Sequence, residues 1–380
     1  MSDIIIRVAA RGDGVTENGR HAAFAAPGDT LSADGAVVPG PHHQTPPCGH
    51  FPRCGGCQLQ HLDDESYAGF VTDRIASALD AQGLTAPLRP AHLSPPRSRR
   101  RATLHAETKG GRVLIGFSEE KSHAIVDIVE CHILAPELFA LVAPLRGLLQ
   151  RLGFKRRGDV HLTLADQGAD ILVTSFSPDG LEAAEAIIGF CERHGVARFA
   201  VDDGMGPETR WEPEPVTITL GGVGVPLPPG AFLQATRDGE AALVAAVTEA
   251  VGNPRTTADL FAGLGTFALA LPGKVYAAEG ARDAILSLKG AANACGRAVF
   301  AEHRDLYRRP LTKAELDRFD AIVLDPPRAG ARDQAEALAS AAVGAVAYVS
   351  CRQVSRGSAG EYQADEQAGV SRLRCRVSGI

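Results

Sequence analysis

From about Arg237 the chain repeats one alternation, helix and apolar strand, and this constrains the fold more than any other feature. A helical stretch opening at Arg237 leads to the strand TTADLFA (256–262), which runs into a glycine turn and a short helix. Then come the strand KVYAA (274–278), a helix over 281–295, the strand FDAIVLD (319–325), a helix over 333–342 and the strand AVAYVS (345–350). Strands alternating with helices predict a parallel, doubly wound α/β sheet. In such sheets ligands sit beyond the carboxyl ends of the strands. No internal repeat interrupts the pattern.

Upstream the pattern differs. The first 40 residues read as short strands (Ile4 to Val8, Ala22 to Ala26) joined by Gly-rich turns, too few to close a barrel alone. Pro41 to Gly56 is rich in Pro, His, Gly and Cys and excludes a regular element. A helix is predicted over roughly Ser66 to Gln82, with Gly83 as its stop. The middle alternates VLIGF (113–117), AIVDI (124–128), HLTLA (161–165) and ILVTSF (171–176) with helices near 136–152 and 180–194, a mixed α/β region. The segment PPGAFLQ (228–234) bridges into the last domain. No stretch approaches the roughly 20 apolar residues of a spanning helix, and the opening residues lack a signal-peptide layout, so no membrane partner is expected.

The net charge of −6 argues at first sight against nucleic acid. Residues 94–160 nevertheless carry 12 Lys+Arg against 7 Asp+Glu, a local +5. Arg97, Arg99, Arg100 and Arg101 form its dense core, and Lys155, Arg156 and Arg157 follow later. Such a run is either a solvated face or a patch that tracks phosphates through Arg forks.

Eight cysteines are too few for a disulfide scaffold, so spacing carries the information. Cys48, Cys54 and Cys57 stand as C-x5-C-x2-C, and Cys131 arrives much later. Gly55 and Gly56 let the backbone wrap a compact centre. Three clustered thiolates plus a distant fourth suit an iron–sulfur cluster or zinc. His50 and His61 nearby speak for zinc, although zinc sites favour two tight pairs; chance spacing is the third reading. Cys191 and Cys295 have no partner spacing and read as core residues of a reduced, cytoplasmic protein.

Asp259-Leu260-Phe261-Ala262-Gly263-Leu264-Gly265-Thr266 places G-x-G directly after an apolar strand, and Glu279 closes the next strand, where an acid accepts from ribose hydroxyls. G-x-G-T offers no arrangement for a pyrophosphate, so S-adenosylmethionine fits better than a dinucleotide. The plainer reading is a tight turn of any α/β fold. Two further strands end in Asp325-Pro326-Pro327-Arg328 and Ser350-Cys351. Asp-Pro-Pro resembles the turn of amino-methylating enzymes, but Arg328 stands where those have an aromatic residue. Cys351 alone would read as a small buried hydrophobe; opposite a cofactor site it reads as a nucleophile.

Taken in order, GGCQLQHL, RSRRRATLHAE, SHAIVDIVECHIL, FLQ, DLFAGLGTF, DAIVLDPPRAG and YVSC resemble the RNA uracil-C5 methyltransferase family, specifically its ribosomal-RNA branch with an iron–sulfur cluster. The resemblance implies a [4Fe–4S] cluster on Cys48, Cys54, Cys57 and Cys131. It implies S-adenosylmethionine contacts from Gln234, Phe261, Thr266, Glu279, Asp305 and Asp325, with Thr266 and Asp305 standing where the family often has other polar residues. It also implies Cys351 as nucleophile and 23S ribosomal RNA as partner; transfer RNA is the alternative substrate, and a monomer is expected. The implied domains are a short OB/TRAM-like β segment (1–40), a cluster loop and helix (41–92), and a central α/β RNA-binding domain that contributes Cys131 (93–230). A Rossmann-like methyltransferase domain (231–380) completes them.

The chemistry follows from uracil. Its C5 is a poor nucleophile until a thiolate adds to C6 and leaves an enolate; C5 then takes the sulfonium methyl, and a base removes the C5 proton. The target base must be unstacked to reach the pocket. Two departures from the family stand out. Its amino-terminal barrel is longer than the 40 residues here. Where the family continues past S-C with N-P and a later His-x-Glu base, this chain has Arg352-Gln353 and only the glutamates Glu361 and Glu366. That tail is expected to lack the final strand pair and to leave the sheet edge open. A relative that binds RNA but lacks the base is therefore the competing reading.

Overall fold

The computed structural model describes residues 2–120, 122–155 and 157–350, together with the backbone of Leu373–Val377. The chain forms two compact units, residues 1–99 with 103–160 and residues 100–102 with 161–380.

The first unit opens with β1 (Asp3–Val8), β2 (Gly14–Thr16), β3 (His21–Ala22), β4 (Thr30–Leu31) and β5 (Val37–Val38). These make an antiparallel sheet in the order β3-β2-β1-β4-β5 around Ile5, Ala22, Ala25 and Leu31. The strand expected over Ala22 to Ala26 stops after Ala22, because Phe24 takes a left-handed φ of 55° that no strand tolerates. The buried Asp29 carboxylate accepts from the Ala26 and Gly40 N–H groups and from His43, each at 2.7 Å, and so anchors the start of the cysteine loop. Helix α1 (Asp64–Asp80) begins where the Asp63 carboxylate accepts from the Ser66 N–H.

The strands β6 (Arg101–Lys109), β7 (Arg112–Ser118) and β8 (Ile125–Asp127) form an antiparallel meander. The helix expected over 136–152 divides into α2 (Pro136–Phe139) and α3 (Val142–Arg151). Pro144 has no N–H to donate to the Ala140 carbonyl, so a continuous helix would lose a bond there. Strand β9 (Arg157–Leu164) runs across the boundary into the second unit.

The second unit contains β10 (Ala169–Thr174), α4 (Leu181–His194), β11 (Val196–Asp202), β12 (Glu208–Trp211), and the hairpin of β13 (Thr217–Leu220) and β14 (Val223–Pro226). It continues with α5 (Arg237–Val251), β15 (Thr256–Leu260), β16 (Lys274–Glu279), α6 (Arg282–Ala294), β17 (Val299–His303), α7 (Lys313–Leu316), β18 (Ala321–Leu324), α8 (Arg332–Ala339), β19 (Ala345–Ser350) and β20 (Leu373–Val377). The last six strands form a parallel sheet in the order β17-β16-β15-β18-β19-β20. This is the doubly wound α/β sheet that the alternation predicts.

Successive residues of each central strand serve opposite faces. Ala321 and Val323 pack with Leu243, Val247 and Leu288 on one side, while Ile322 and Leu324 pack with Leu316 and Leu338 on the other. Burying each Leu or Val contributes about 1.5–3 kcal/mol, which is why both faces must be covered. Two expectations need correction. The stretch after G-x-G forms successive turns in place of a short helix. The outer edge of β19 is paired along its length with β20 and is not open. Among the described residues no helix is long and apolar enough to cross a membrane.

Candidate functional site

Strand order reverses at β15: the chain winds outward to β17, then returns to β18 on the other side. Loops diverge at such a switch point and leave a crevice beyond the strand ends. Residues implied by the family resemblance stand around it. The Asp325 N–H donates to the Leu260 carbonyl (3.2 Å), fixing the start of Asp-Pro-Pro beside the end of β15. Gln234 points its amide at Asp325, Nε2 to Oδ2 3.5 Å. Phe261 turns out of the strand with a φ of 64°, its ring 5.5 Å from that of Tyr307. Thr266 is half-buried in the following turns. Asp305 accepts from the Tyr307 and Arg308 N–H groups and so closes the loop after β17.

Glu279 organises the glycine turn itself. One carboxylate oxygen accepts from the Gly263 N–H (2.8 Å) and the other from the Ala281 N–H (2.7 Å). Each oxygen keeps a lone pair for a hydroxyl of a ligand. Gly265 is required twice, by its φ of 93° and because a Cβ there would lie 2.4 Å from the Leu288 side chain.

Asp259, which the spacing argument passed over, lies at the bottom of this site. It is fully buried, and neither carboxylate oxygen has a partner at hydrogen-bond geometry, although the Ala268 N–H is close enough to favour the charge. Burial first, then the neighbouring Asp325 and Glu279 charges, push it up to about 8. Burial alone pushes Asp325 up to about 7. The signal was present in the sequence as an acid inside the apolar run TTADL.

Both acids therefore hold protons in the folded state at pH values where the unfolded chain has released them. The resulting penalty is absent below about pH 4, grows as pH rises, and is complete above about pH 8. Each carboxyl costs at most about 1.4 kcal/mol per pH unit in that window. Asp259→Asn is expected to flatten the fall in unfolding free energy between about pH 4 and pH 8, measured by urea titration. An unchanged slope would show that Asp259 is ionised in the free protein.

A second group of residues gathers in the first unit. Cys48, Cys54, Cys57 and Cys131 line one cavity of about 170 Å³ with His50, Gln60, Arg99 and Glu130. The loop is wound tightly: the Phe51 N–H donates to the Cys48 carbonyl, the Cys54 N–H to His50, and the Gly55 N–H to Ser118. A Cβ on Gly55 would sit 2.6 Å from the Ser118 carbonyl, and one on Gly56 would press on the Phe117 ring, so both glycines serve close approach. The Leu134 N–H points at the Cys131 sulfur (3.4 Å). Burial pushes the Cys57 thiol up to about 11 and raises Cys48 and Cys54 as well. Among the described residues no three His, Cys, Asp or Glu side chains converge as ligands of one metal ion.

The histidines that spoke for zinc are otherwise engaged. His50 accepts from the Val129 N–H through Nε2 (3.0 Å), and His61 is buried among Phe24, Phe51 and His43. Cys191 is a core residue as expected, but Cys295 is exposed, as the residue that caps the carboxyl end of α6.

The basic run also divides. Arg97 is exposed, and Arg99 reaches the cysteine cavity. Arg100 is only 2% exposed; it donates to the Gln234 carbonyl (3.1 Å) and to Glu240 (2.6 Å). Arg101 lies over the exposed Phe232 ring, 4.5 Å from its centroid. A solvated face and a continuous phosphate patch are both wrong for Arg100, since its guanidinium is buried and paired with Glu240 while its own N–H and carbonyl bond to Ala235 and Leu164. Cys351, Glu361 and Glu366 lie outside the described residues, as does Arg156.

A parallel sheet of this order, with Glu279 and Asp325 at the ends of strands beside its switch point, is a doubly wound α/β fold, and its similarity to known proteins makes the chain an α/β methyltransferase. Among solved structures, the chain resembles Pyrococcus abyssi tRNA (uracil-54, C5)-methyltransferase in complex with S-adenosyl-L-homocysteine. The TM-score is 0.69 and identity 22%, covering 93% of this chain and 90% of that one. Curated relatives include an uncharacterized RNA methyltransferase of Zymomonas mobilis, 53% identical over 91% of this chain and 88% of its own length. The 23S rRNA (uracil(1939)-C(5))-methyltransferase of Pectobacterium atrosepticum is 31% identical over 83% of this chain and 72% of its own. No family model matches the chain. The chain belongs to the RNA uracil-C5 methyltransferase family.

Proposed function

We propose that this enzyme transfers the methyl group of S-adenosylmethionine to C5 of a uridine in 23S ribosomal RNA. The observation that carries the reading is the gathering of Gln234, Phe261, Glu279 and Asp325 at the strand ends of the switch point, with the buried Asp259 beneath them. Glu279 holds ribose hydroxyls, the Phe261 and Tyr307 rings flank the adenine, and Asp305 bounds the adenosyl end with Thr266 beside it. A sulfonium cation near Asp259 and Asp325 would favour their ionised forms, which ties methyl-donor binding to proton release. Cys351 follows directly on β19 and adds to C6 of the base, which turns C5 into the carbon that accepts the methyl.

The cysteine cavity fits a [4Fe–4S] cluster on Cys48, Cys54, Cys57 and Cys131. Each thiolate of a cluster binds its own iron, so sulfurs that share a cavity without converging on one point suit it better than a single zinc ion. The cluster supplies no electron to methyl transfer; it would tie the loop at 41–62 to the segment of Cys131 and shape the surface toward RNA. The β segment (1–40) and the central region (93–230) hold the RNA in this reading.

The test is transfer of labelled methyl to 23S RNA fragments and to transfer RNA. Label in 5-methyluridine of the 23S fragments alone is expected. Label confined to transfer RNA would move the substrate, and none in either would favour a binding protein without a base.

A further inference from the structure

The wall of the cysteine cavity contains a charge that the ligand set does not explain. The segment before β6 runs beside the residues after Cys131: the Arg97 N–H donates to the His132 carbonyl and the Arg99 N–H to the Ile133 carbonyl (2.9 and 3.0 Å). The Ala135 N–H returns a bond to the Arg99 carbonyl (2.8 Å), giving a parallel bridge between Arg99 and Leu134. Arg99 is thereby held at a fixed register beside Cys131. Arg99 lines the cavity, and its charge is within electrostatic reach of Cys57 and Cys131.

The other ionisable groups in that wall, apart from the thiols, are Glu130, His50 and His132. Glu130 is negative and is held by the Gly49 N–H and by His132. His50 accepts from the Val129 N–H through Nε2. Among the described residues, Arg99 alone brings a permanent positive charge to the wall. Four thiolates on an iron–sulfur core leave the centre net negative, and reduction adds one more negative charge. In a partly buried cavity that charge is poorly screened by salt.

We propose that Arg99 is the counter-charge of this centre, a positioning residue whose guanidinium donates toward the sulfurs on the Cys57 and Cys131 side. It stabilises the loaded centre and its reduced form more than its oxidised form. The proposal rests on reading the cavity as an iron–sulfur site. It also gives Arg99 a role apart from its neighbours in the basic run, since Arg100 is committed to Gln234 and Glu240.

The test uses the full chain reconstituted anaerobically with iron and sulfide, as wild type, Arg99→Gln, Arg99→Lys and Arg53→Gln. Arg53 is an exposed cation of the same loop, paired with Glu119, and is absent from the cavity wall. Iron and acid-labile sulfide per chain, loss of the brown absorbance to a chelator, and the midpoint potential are measured. Arg99→Gln is expected to weaken retention of the cluster by about 10–100-fold, the usual effect of losing an outer-sphere partner, and to lower the potential. Arg99→Lys should stay near the wild-type potential, and Arg53→Gln should match wild type throughout. Arg99→Gln indistinguishable from wild type would overturn the proposal. So would Arg99→Lys lowering the potential as far as Arg99→Gln, because charge would then not be the cause. Absence of iron and sulfide from reconstituted wild type would overturn the iron–sulfur reading and this proposal together.

Discussion

Replacing Cys351 with Ala is expected to cut methyl transfer to RNA by at least about 10⁴-fold, the scale on which removing a covalent nucleophile acts. Without the thiolate, C5 of uracil never becomes an enolate carbon. Binding of S-adenosylhomocysteine should be nearly unchanged, because the groups assigned to the cofactor stand before α5, at the ends of β15, β16 and β18 and in the loop after β17. Single-turnover transfer of labelled methyl measures the first effect and calorimetry the second. A denaturant-stable protein–RNA complex should form with wild type and disappear in the variant. If that complex accumulates in wild type without turning over, the chain has the nucleophile and lacks the base that releases it. Methylation that survives in the variant would exclude the covalent route.

The second large effect is on stability. Arg100→Ala removes the partner of Glu240, whose carboxyl is itself raised by burial, and frees the Gln234 carbonyl. Breaking a buried pair by deleting one member costs about 3–5 kcal/mol, since the other is left uncompensated. For a unit of this size that is a fall in Tm of roughly 10 °C. Arg100→Ala/Glu240→Ala should recover part of the loss, because the stranded carboxylate is gone. The folded fraction of Arg100→Ala should also bind S-adenosylhomocysteine more weakly, through the loss of the bond that seats Gln234. A variant as stable as wild type would mean that Arg100 is solvated like an ordinary member of a basic run.

These two residues show how far a linear reading reaches. Cys351 lies outside the described residues and is proposed from the sequence alone, because it closes a motif, YVSC, at the end of a strand whose apolar pattern is plain. Gly263, Gly265, Glu279 and Asp325 are legible for the same reason, and the structure places each within a few residues of a strand end. Arg100 is not legible: four arginines within five positions look alike until the chain is folded. Which of them faces a cavity, a carboxylate, an aromatic ring or water depends on the backbone laid beside it, at 132–135 or at 234–235. Strand β17 escaped notice for a related reason, since it lies at the sheet edge with Phe300 exposed and shows no buried apolar run.

The sequence by itself determined the parallel α/β sheet, the acids and glycines at its strand ends, and the spacing of the four cysteines. All of these are local patterns, repeated within one turn, strand or loop. The tertiary structure alone decided the lack of a hydrogen-bond partner at Asp259 and the separate fates of Arg99, Arg100 and Arg101. Those outcomes depend on desolvation and on contacts between residues far apart in the chain, and no local pattern encodes either.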